Sequence, residues 1–210
     1  MDWLLTGALL TTFIILGTER ISSCIYAVAW QGAMIAALPF LTPSTHWRIA
    51  LLVFSITLVV KALLIPALLL RSLRRITILR YSEFIVRPHL ALLGGGLLVV
   101  ASFSASSSLP GPPGDSHLDG AIALSMLLVG FFLLVIRSRA ISQVIGFLVM
   151  ENGIFLFGVT LAAHFPLIVE LGVLLDLLAG ILVMGIMVHH IHQTFDHIDT
   201  RVMSQLGDSE

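Results

Sequence analysis

The sequence contains few charged residues and a single cysteine. Of its 210 residues, 11% are charged and 58% hydrophobic, with a mean hydropathy of +1.05. An ordinary soluble domain has about 25% charged residues, so this composition predicts an integral membrane protein. Since no large hydrophilic segment and no nucleotide-binding loop is present, a soluble catalytic domain is excluded. The lone Cys24 excludes an internal disulfide and an iron–sulfur cluster, which needs several thiolates.

Seven apolar stretches approach or exceed the length needed to cross a bilayer, about 20 residues. They cover residues 3–17, 21–41, 47–70, 88–106, 118–136, 140–163 and 167–188. A helix satisfies its own backbone hydrogen bonds in lipid, so the predicted fold is all-α and polytopic, with about seven transmembrane helices. The first residues, Met1-Asp2-Trp3, lack the basic region of a signal peptide, so the first stretch is expected to be retained as a span.

Arginine positions predict the orientation of these helices. In a seven-span arrangement, nine arginines lie on one side of the membrane and only Arg48 lies on the other. The nine are Arg20, Arg71, Arg74, Arg75, Arg80, Arg87, Arg137, Arg139 and Arg201. Because basic residues concentrate in cytoplasmic loops, the N-terminus is predicted to lie outside and the C-terminus in the cytoplasm.

A proline- and glycine-rich segment predicts how the chain is divided. Residues 110–114 read Pro-Gly-Pro-Pro-Gly, which stops helices. We therefore predict an N-terminal four-helix membrane region at 1–107 and an external linker at 108–117. A three-helix region at 118–190 and a cytoplasmic tail at 191–210 follow.

Two acids lie near the middle of consecutive apolar stretches, Glu151 in the sixth and Asp176 in the seventh. The turn between these stretches is short, so their helices are expected to be adjacent and antiparallel. A buried carboxylate close to a second acid can hold a proton near neutral pH. Intramembrane acids are costly and commonly mark proton pathways. The pattern therefore predicts a proton relay through Glu151 and Asp176.

Lys61 lies at a similar depth in the third stretch and is the basic member of the predicted relay. Pro66 has no N–H to donate, so the helix is expected to open beside Lys61 and admit water. The sequence leaves open whether Lys61 pairs with Glu151 or with Asp176. A static role is the alternative: Lys61 and Asp176 form a fixed ion pair, and a protonated Glu151 hydrogen-bonds to another helix.

Two amides are predicted to support these charges. Asn152 is expected to join helices by hydrogen bonding. Gln31 is the candidate partner of Glu151, and it falls on Glu151 when the chain is displaced by 120 residues, as Ile21 falls on Ile141. This faint repeat predicts two parallel units, spans one to three and spans five to seven, joined by the fourth span.

Histidines raise one alternative of a different class. His89 and His189 are expected at the same depth on separate helices, where such a pair can ligate a b-type haem. His89 lies at the membrane interface, however, and no second histidine pair lies on the outer side. An ordinary interfacial cluster is the favoured interpretation, so no metal and no cofactor are predicted.

From Arg137 onward, the sequence resembles subunit K of bacterial respiratory complex I. The shared features are a short basic turn, an Ile-Gly-rich helix with a buried Glu and Asn, and a following helix with a buried acid and then Gly, here Asp176 and Gly180. The family's second-helix acid falls near Leu148, one turn before Glu151. One turn keeps the same helix face.

Over nearly its whole length, the chain resembles hydrogenase-4 component E. The resemblance is carried by residues 15–24, Ile-Leu-Gly-Thr-Glu-Arg-Ile-Ser-Ser-Cys, and by Met-Glu-Asn-Gly at 150–153. It implies a non-catalytic, multi-pass subunit in the cell (inner) membrane of a bacterium or archaeon. Its assembly would be a group 4 hydrogenase or formate hydrogenlyase, with antiporter-like neighbours and redox centres on other chains. Cation/proton antiporter complexes contain a similar subunit, so the antiporter assignment and a purely structural scaffold remain alternatives.

Overall fold

The structure, a computed structural model, describes residues 2–38, 47–75, 85–107 and 117–161, together with Gly180 and Gly185. Within these ranges the chain is helical. The helices are α1 (Asp2–Gly17), α2 (Ile21–Ala36), α3 (Trp47–Thr57), α4 (Ile65–Arg75), α5 (Pro88–Ser106), α6 (His117–Ile136) and α7 (Ala140–Leu161). A π-helical segment, Leu58–Leu64, connects α3 to α4 without a break. The predicted all-α class is therefore confirmed for this part of the chain.

Four helical stretches among the described residues are long and apolar enough to cross a membrane. They cover residues 54–71, 88–106, 118–136 and 140–158, and the first runs from α3 through the π-helical segment into α4. Helices α1 and α2 are apolar but have 16 residues each, which is below the usual length of a span. The predicted seventh stretch, apart from Gly180 and Gly185, and the linker at 108–116 lie outside the described residues.

Helices α6 and α7 pack backbone to backbone and run antiparallel. A Cβ atom added to Gly146 would lie 2.7 Å from the backbone nitrogen of Leu134. One added to Gly153 would collide with the backbone of Leu127, and one added to Gly130 would collide with that of Met150. Small residues at such contacts are typical of membrane helices, because close packing replaces the hydrophobic effect in lipid. This contact fixes the position of the acid-bearing helix α7.

The apolar core has two parts, one toward each end of the helices. The first includes Ile15 of α1, Val28 of α2 and Val149 of α7, and the second includes Ala8, Ile35 and Phe155 of the same three helices. The residues between these positions therefore form a middle layer. Thr12, Gln31, Glu151 and Asn152 lie in this layer and are buried. Polar side chains thus lie midway along the helices, between two apolar regions.

The π-helical segment has a local cause in Pro66. A proline has no N–H, so position 66 can donate to neither the carbonyl four residues earlier nor the one five residues earlier. The N–H of Ile65 instead donates to the carbonyl of Val60, five residues back. Such wide turns are uncommon and often occur at functional sites. The departure expected at Pro66 thus extends over Leu58–Leu64 and includes Lys61.

Candidate functional site

A buried ion pair joins the π-helical segment to α7. The Nζ atom of Lys61 lies 2.8 Å from Oε1 of Glu151, and the side chains are 4% and 1% exposed. Among the described residues, Lys61 therefore pairs with Glu151, while the alternative partner, Asp176, lies outside the described residues. The ring of Phe155 lies 5.3 Å from the same nitrogen, measured to its centroid. An ammonium at this distance from an aromatic ring is stabilised electrostatically.

A chain of amide hydrogen bonds extends from the ion pair to α1. Lys61 donates to Oδ1 of Asn152 at 3.0 Å, and Nδ2 of Asn152 donates to Oε1 of Gln31 at 3.1 Å. Nε2 of Gln31 then donates to the hydroxyl of Thr12 at 2.8 Å and to the carbonyl of Ala8 at 3.0 Å. All these bonds run in one direction, so each amide has a fixed orientation. We call Lys61, Glu151, Asn152, Gln31 and Thr12 the mid-bundle network.

Helix periodicity explains how α7 contributes three of these contacts. Glu151 and Phe155 are four residues apart, and Asn152 and Phe155 are three apart, so all three lie toward the same side of the helix. Gln31 occupies the matching depth on α2, between the two parts of the apolar core. The network therefore brings four helical elements together at one level.

Arg137, in the turn between α6 and α7, is a second buried cation and is 0% exposed. Its Nη2 atom donates to the carbonyl of Ile15 at 2.6 Å and to that of Thr18 at 3.3 Å. Both carbonyls lie at the C-terminal end of α1, where backbone acceptors lack helical partners and favour cations. Sγ of Cys24 lies 3.8 Å from the same nitrogen. Burial lowers the pKa of Arg137, although an arginine remains protonated in proteins.

Sequence reasoning assigned Arg137 to a basic turn that sets orientation, and did not foresee its burial. Phe155 was also missed, because an aromatic residue in an apolar stretch carries no separate signal. Gln31 contacts Asn152 through its Oε1, rather than serving as the described partner of Glu151. A polar residue in each of two apolar stretches was the available signal for this contact.

Some predicted site residues cannot be placed in this arrangement. Asp176 and His189 lie outside the described residues. His89, at the start of α5, is exposed. The structure therefore brings Lys61, Glu151, Asn152 and Gln31 together, and the contribution of Asp176 stays a prediction.

The Lys61–Glu151 pair places two ionisable side chains in contact at a buried site. In a medium of low dielectric, a buried pair has a large desolvation cost that its mutual attraction offsets only with good geometry. The 2.8 Å separation is a hydrogen-bond distance for a charged donor and acceptor. The amides of Asn152 and Gln31 orient this pair, since amide groups neither gain nor lose protons near neutral pH.

Comparison with known proteins finds relatives of two kinds. The chain is 29% identical over 211 residues, 99% of this chain and 96% of the relative, to the uncharacterized protein Rv0085 of Mycobacterium tuberculosis. It is 27% identical over 150 residues, 70% of this chain and 69% of the relative, to hydrogenase-4 component E of Escherichia coli K12. The same values hold for hydrogenase-4 component E of Shigella flexneri. No protein-family model matches the chain, and no solved structure matches it significantly. The expected resemblance to component E thus covers 70% of the chain rather than nearly all of it.

Proposed function

We propose that this chain is a membrane subunit of a complex-I-like, energy-converting assembly of the group 4 hydrogenase type. In this proposal, Lys61 and Glu151 hold and exchange a proton at mid-membrane depth, and Asp176 is the next carboxylate of the relay. The observation that carries the proposal is the buried 2.8 Å contact between Lys61 and Glu151. Ionisable residues inside a membrane are rare and are commonly functional. The similarity to hydrogenase-4 component E supports the choice of assembly.

The proposed arrangement in the membrane has seven spans, with the N-terminus outside and the C-terminus in the cytoplasm. The arginine distribution supports this orientation. At least three of the arginine-bearing segments meet at one end of the bundle, because Arg137 contacts the end of α1 near Arg20, and the N–H of Ile85 near Arg87 donates to the carbonyl of Ile136. Fusion of a periplasmic reporter enzyme to residue 113 and to residue 210 tests this topology. Activity is expected at the first site alone.

The four-part division of the chain and its likeness to subunit K belong to the same proposal. Residues 118–190 would form the three-helix unit, of which α6 and α7 are described, and the segment containing Asp176 would supply the third helix. Residues 1–107 would supply Lys61 and Gln31 to it. The contact of Lys61 and Gln31 with α7 supports this joint site.

The test of the relay uses the assembled complex, isolated through a tag on this chain and reconstituted in vesicles. The variants are Glu151→Gln, Lys61→Met and Asp176→Asn, with exposed Glu19→Gln as the matched control. We expect Glu151→Gln to assemble, because the amide oxygen of glutamine can still accept a hydrogen bond from Lys61, and Glu19→Gln to assemble normally. Proton translocation should fall at least about 100-fold in Glu151→Gln, as expected when a general acid–base group is lost. Electron transfer by the redox subunits is measured in parallel.

Three outcomes separate the proposal from its alternatives. Unchanged translocation in assembled Glu151→Gln and Asp176→Asn complexes would contradict the relay. Loss of assembly in these variants, with the control intact, would favour a structural scaffold. Co-purification with cation/proton antiporter subunits and without a hydrogenase subunit would move the chain to the antiporter class.

A further inference from the structure

Gly32 of α2 lies against the wide turn that carries Lys61. A Cβ atom added to Gly32 would lie 2.9 Å from Cβ of Lys61 and 3.4 Å from its carbonyl carbon and oxygen. The first distance is shorter than real carbon contacts, and the atoms involved belong to the backbone and the first side-chain carbon. They cannot rotate away as the end of a flexible side chain does. The absence of a side chain at position 32 therefore determines how close the π-helical segment can lie to α2.

The neighbouring residue of α2, Gln31, contacts the helix that carries Glu151. Its Oε1 accepts a hydrogen bond from Asn152, which follows Glu151 on α7. Two adjacent residues of α2 thus contact both helices that carry the ion pair: Gly32 contacts the helix of Lys61, and Gln31 contacts the helix of Glu151. The distance between the two charges depends on both contacts.

We propose that Gly32 is a positioning residue for the Lys61–Glu151 pair. Its bare backbone lets the π-helical segment lie against α2, at the place from which the Lys61 amine reaches Glu151. Even one methyl group at position 32 displaces the segment and separates the charged atoms. This inference rests on the proposed function for its biological meaning, but the contact itself is testable without any transport measurement.

The chain offers an unusually clean probe, because Lys61 is the only lysine in the sequence. In the full-length chain reconstituted in lipid bilayers, 15N-lysine labelling gives a single side-chain nitrogen signal in solid-state NMR. With 13C-labelled glutamate carboxyl groups, the dipolar coupling between the two labels reports directly on the pair. Glu151→Gln identifies which glutamate is responsible, since its coupling should vanish.

The test variant is Gly32→Ala, and two other glycines supply matched controls. Among the described residues, a Cβ at Gly96 meets nothing within 4 Å, and a Cβ at Gly7 meets only the flexible end of Met34, at 3.1 Å. We expect Gly32→Ala to lose the nitrogen–carboxyl coupling and both controls to keep it. Retention of the wild-type coupling in Gly32→Ala overturns the proposal, as does absence of that coupling in the wild-type chain.

If Gly32→Ala does not fold, a measurement on the wild-type chain tests whether Gly32 contacts Lys61. A spectrum selected for the lysine carbons should then show a contact with a glycine Cα, and absence of that contact overturns the proposal. Translocation by complexes that contain Gly32→Ala separates this inference from the proposed function. Lost coupling with unchanged translocation upholds the positioning role and contradicts the relay. Retained coupling contradicts the positioning role and leaves the relay to the Glu151→Gln experiment.

Discussion

Lys61 and Arg137 are both buried cations, but their surroundings differ in kind. Lys61 lies in the middle layer against a carboxylate, an amide oxygen and an aromatic ring. Arg137 lies near one end of the helices and donates to backbone carbonyls, which cannot change charge. The first arrangement pairs two ionisable side chains, whereas the second pairs an arginine, which stays protonated in proteins, with neutral backbone groups. Burial of a cation alone therefore does not indicate a transport role, and the chemistry of its acceptor separates the two cases.

The largest expected effect comes from breaking the ion pair. Lys61→Met or Glu151→Met leaves one charge buried without its partner, which typically destabilises a protein by about 3–5 kcal/mol. The double variant removes both charges and should be closer to wild type than either single variant. Denaturant titrations in detergent, followed by circular dichroism, measure the free energy of unfolding. Additive losses in the double variant would show that the two residues do not interact.

Replacement of Arg137 by Met should have the next largest effect. It removes the short charged hydrogen bond from Nη2 to the carbonyl of Ile15, and such a bond contributes about 1.5–3 kcal/mol. The exposed Arg87→Met is the control and should leave the unfolding curve almost unchanged. The comparison also predicts that Arg137→Met lowers stability without abolishing translocation in those complexes that assemble. Loss of translocation in fully assembled Arg137→Met complexes would place Arg137 in the pathway.

A smaller effect is expected where the two halves of the network meet. Gln31→Leu leaves the amide of Asn152 without its acceptor in a buried site, at an expected loss of about 1–3 kcal/mol. A double-mutant cycle with Asn152→Leu isolates the contact between the two amides, because each single change removes the same hydrogen bond. A coupling energy indistinguishable from zero would mean that the two amides act independently.

The smallest loss of stability is expected at Thr12, where the mid-bundle network ends on α1. Thr12→Val removes a hydroxyl that accepts from Gln31, at an expected loss of about 0.5–1.5 kcal/mol. Thr11→Val is a matched control, because its described hydroxyl bond goes to the carbonyl of Ala8 within the same helix. The unfolding free energies of the two variants should differ, with Thr12→Val the less stable. Equal values would exclude Thr12 from the network.

Features that depend on residues close together in the sequence were predictable, and contacts between distant segments were not. The starts of α2, α5 and α7 were predicted from apolar length and turn residues, because these signals are local. The mid-depth position of Glu151 was predictable for the same reason, and Pro66 marked the irregular turn. Such local signals did not predict which distant segments contact each other. The pairing of Lys61 with Glu151 depends on the approach of the π-helical segment to α2 and α7, which only the packed structure defines.

The burial of Arg137 could not be predicted from the sequence. Its position in a basic turn gave it the same sequence signal as Arg139, its neighbour two residues later. One of them is fully buried and the other is partly exposed. The difference arises because the end of α1 presents carbonyl groups at one side of the turn. A charge pattern read along the chain contains no information about that neighbour.

The contact between Arg137 and α1 also constrains the order of assembly in the membrane. The ribosome completes Ile15 and Thr18 more than one hundred residues before Arg137, at separations of 122 and 119 positions. Until then, the described side-chain donor to these two carbonyls is the weak thiol of Cys24, at 3.8 Å from Ile15 and 3.5 Å from Thr18. The charged hydrogen bonds at this end of the α1–α2 hairpin therefore form only after α6 has been synthesised. Truncation before residue 137 is expected to yield an incompletely packed α1–α2 hairpin, which the proteases of membrane quality control would degrade.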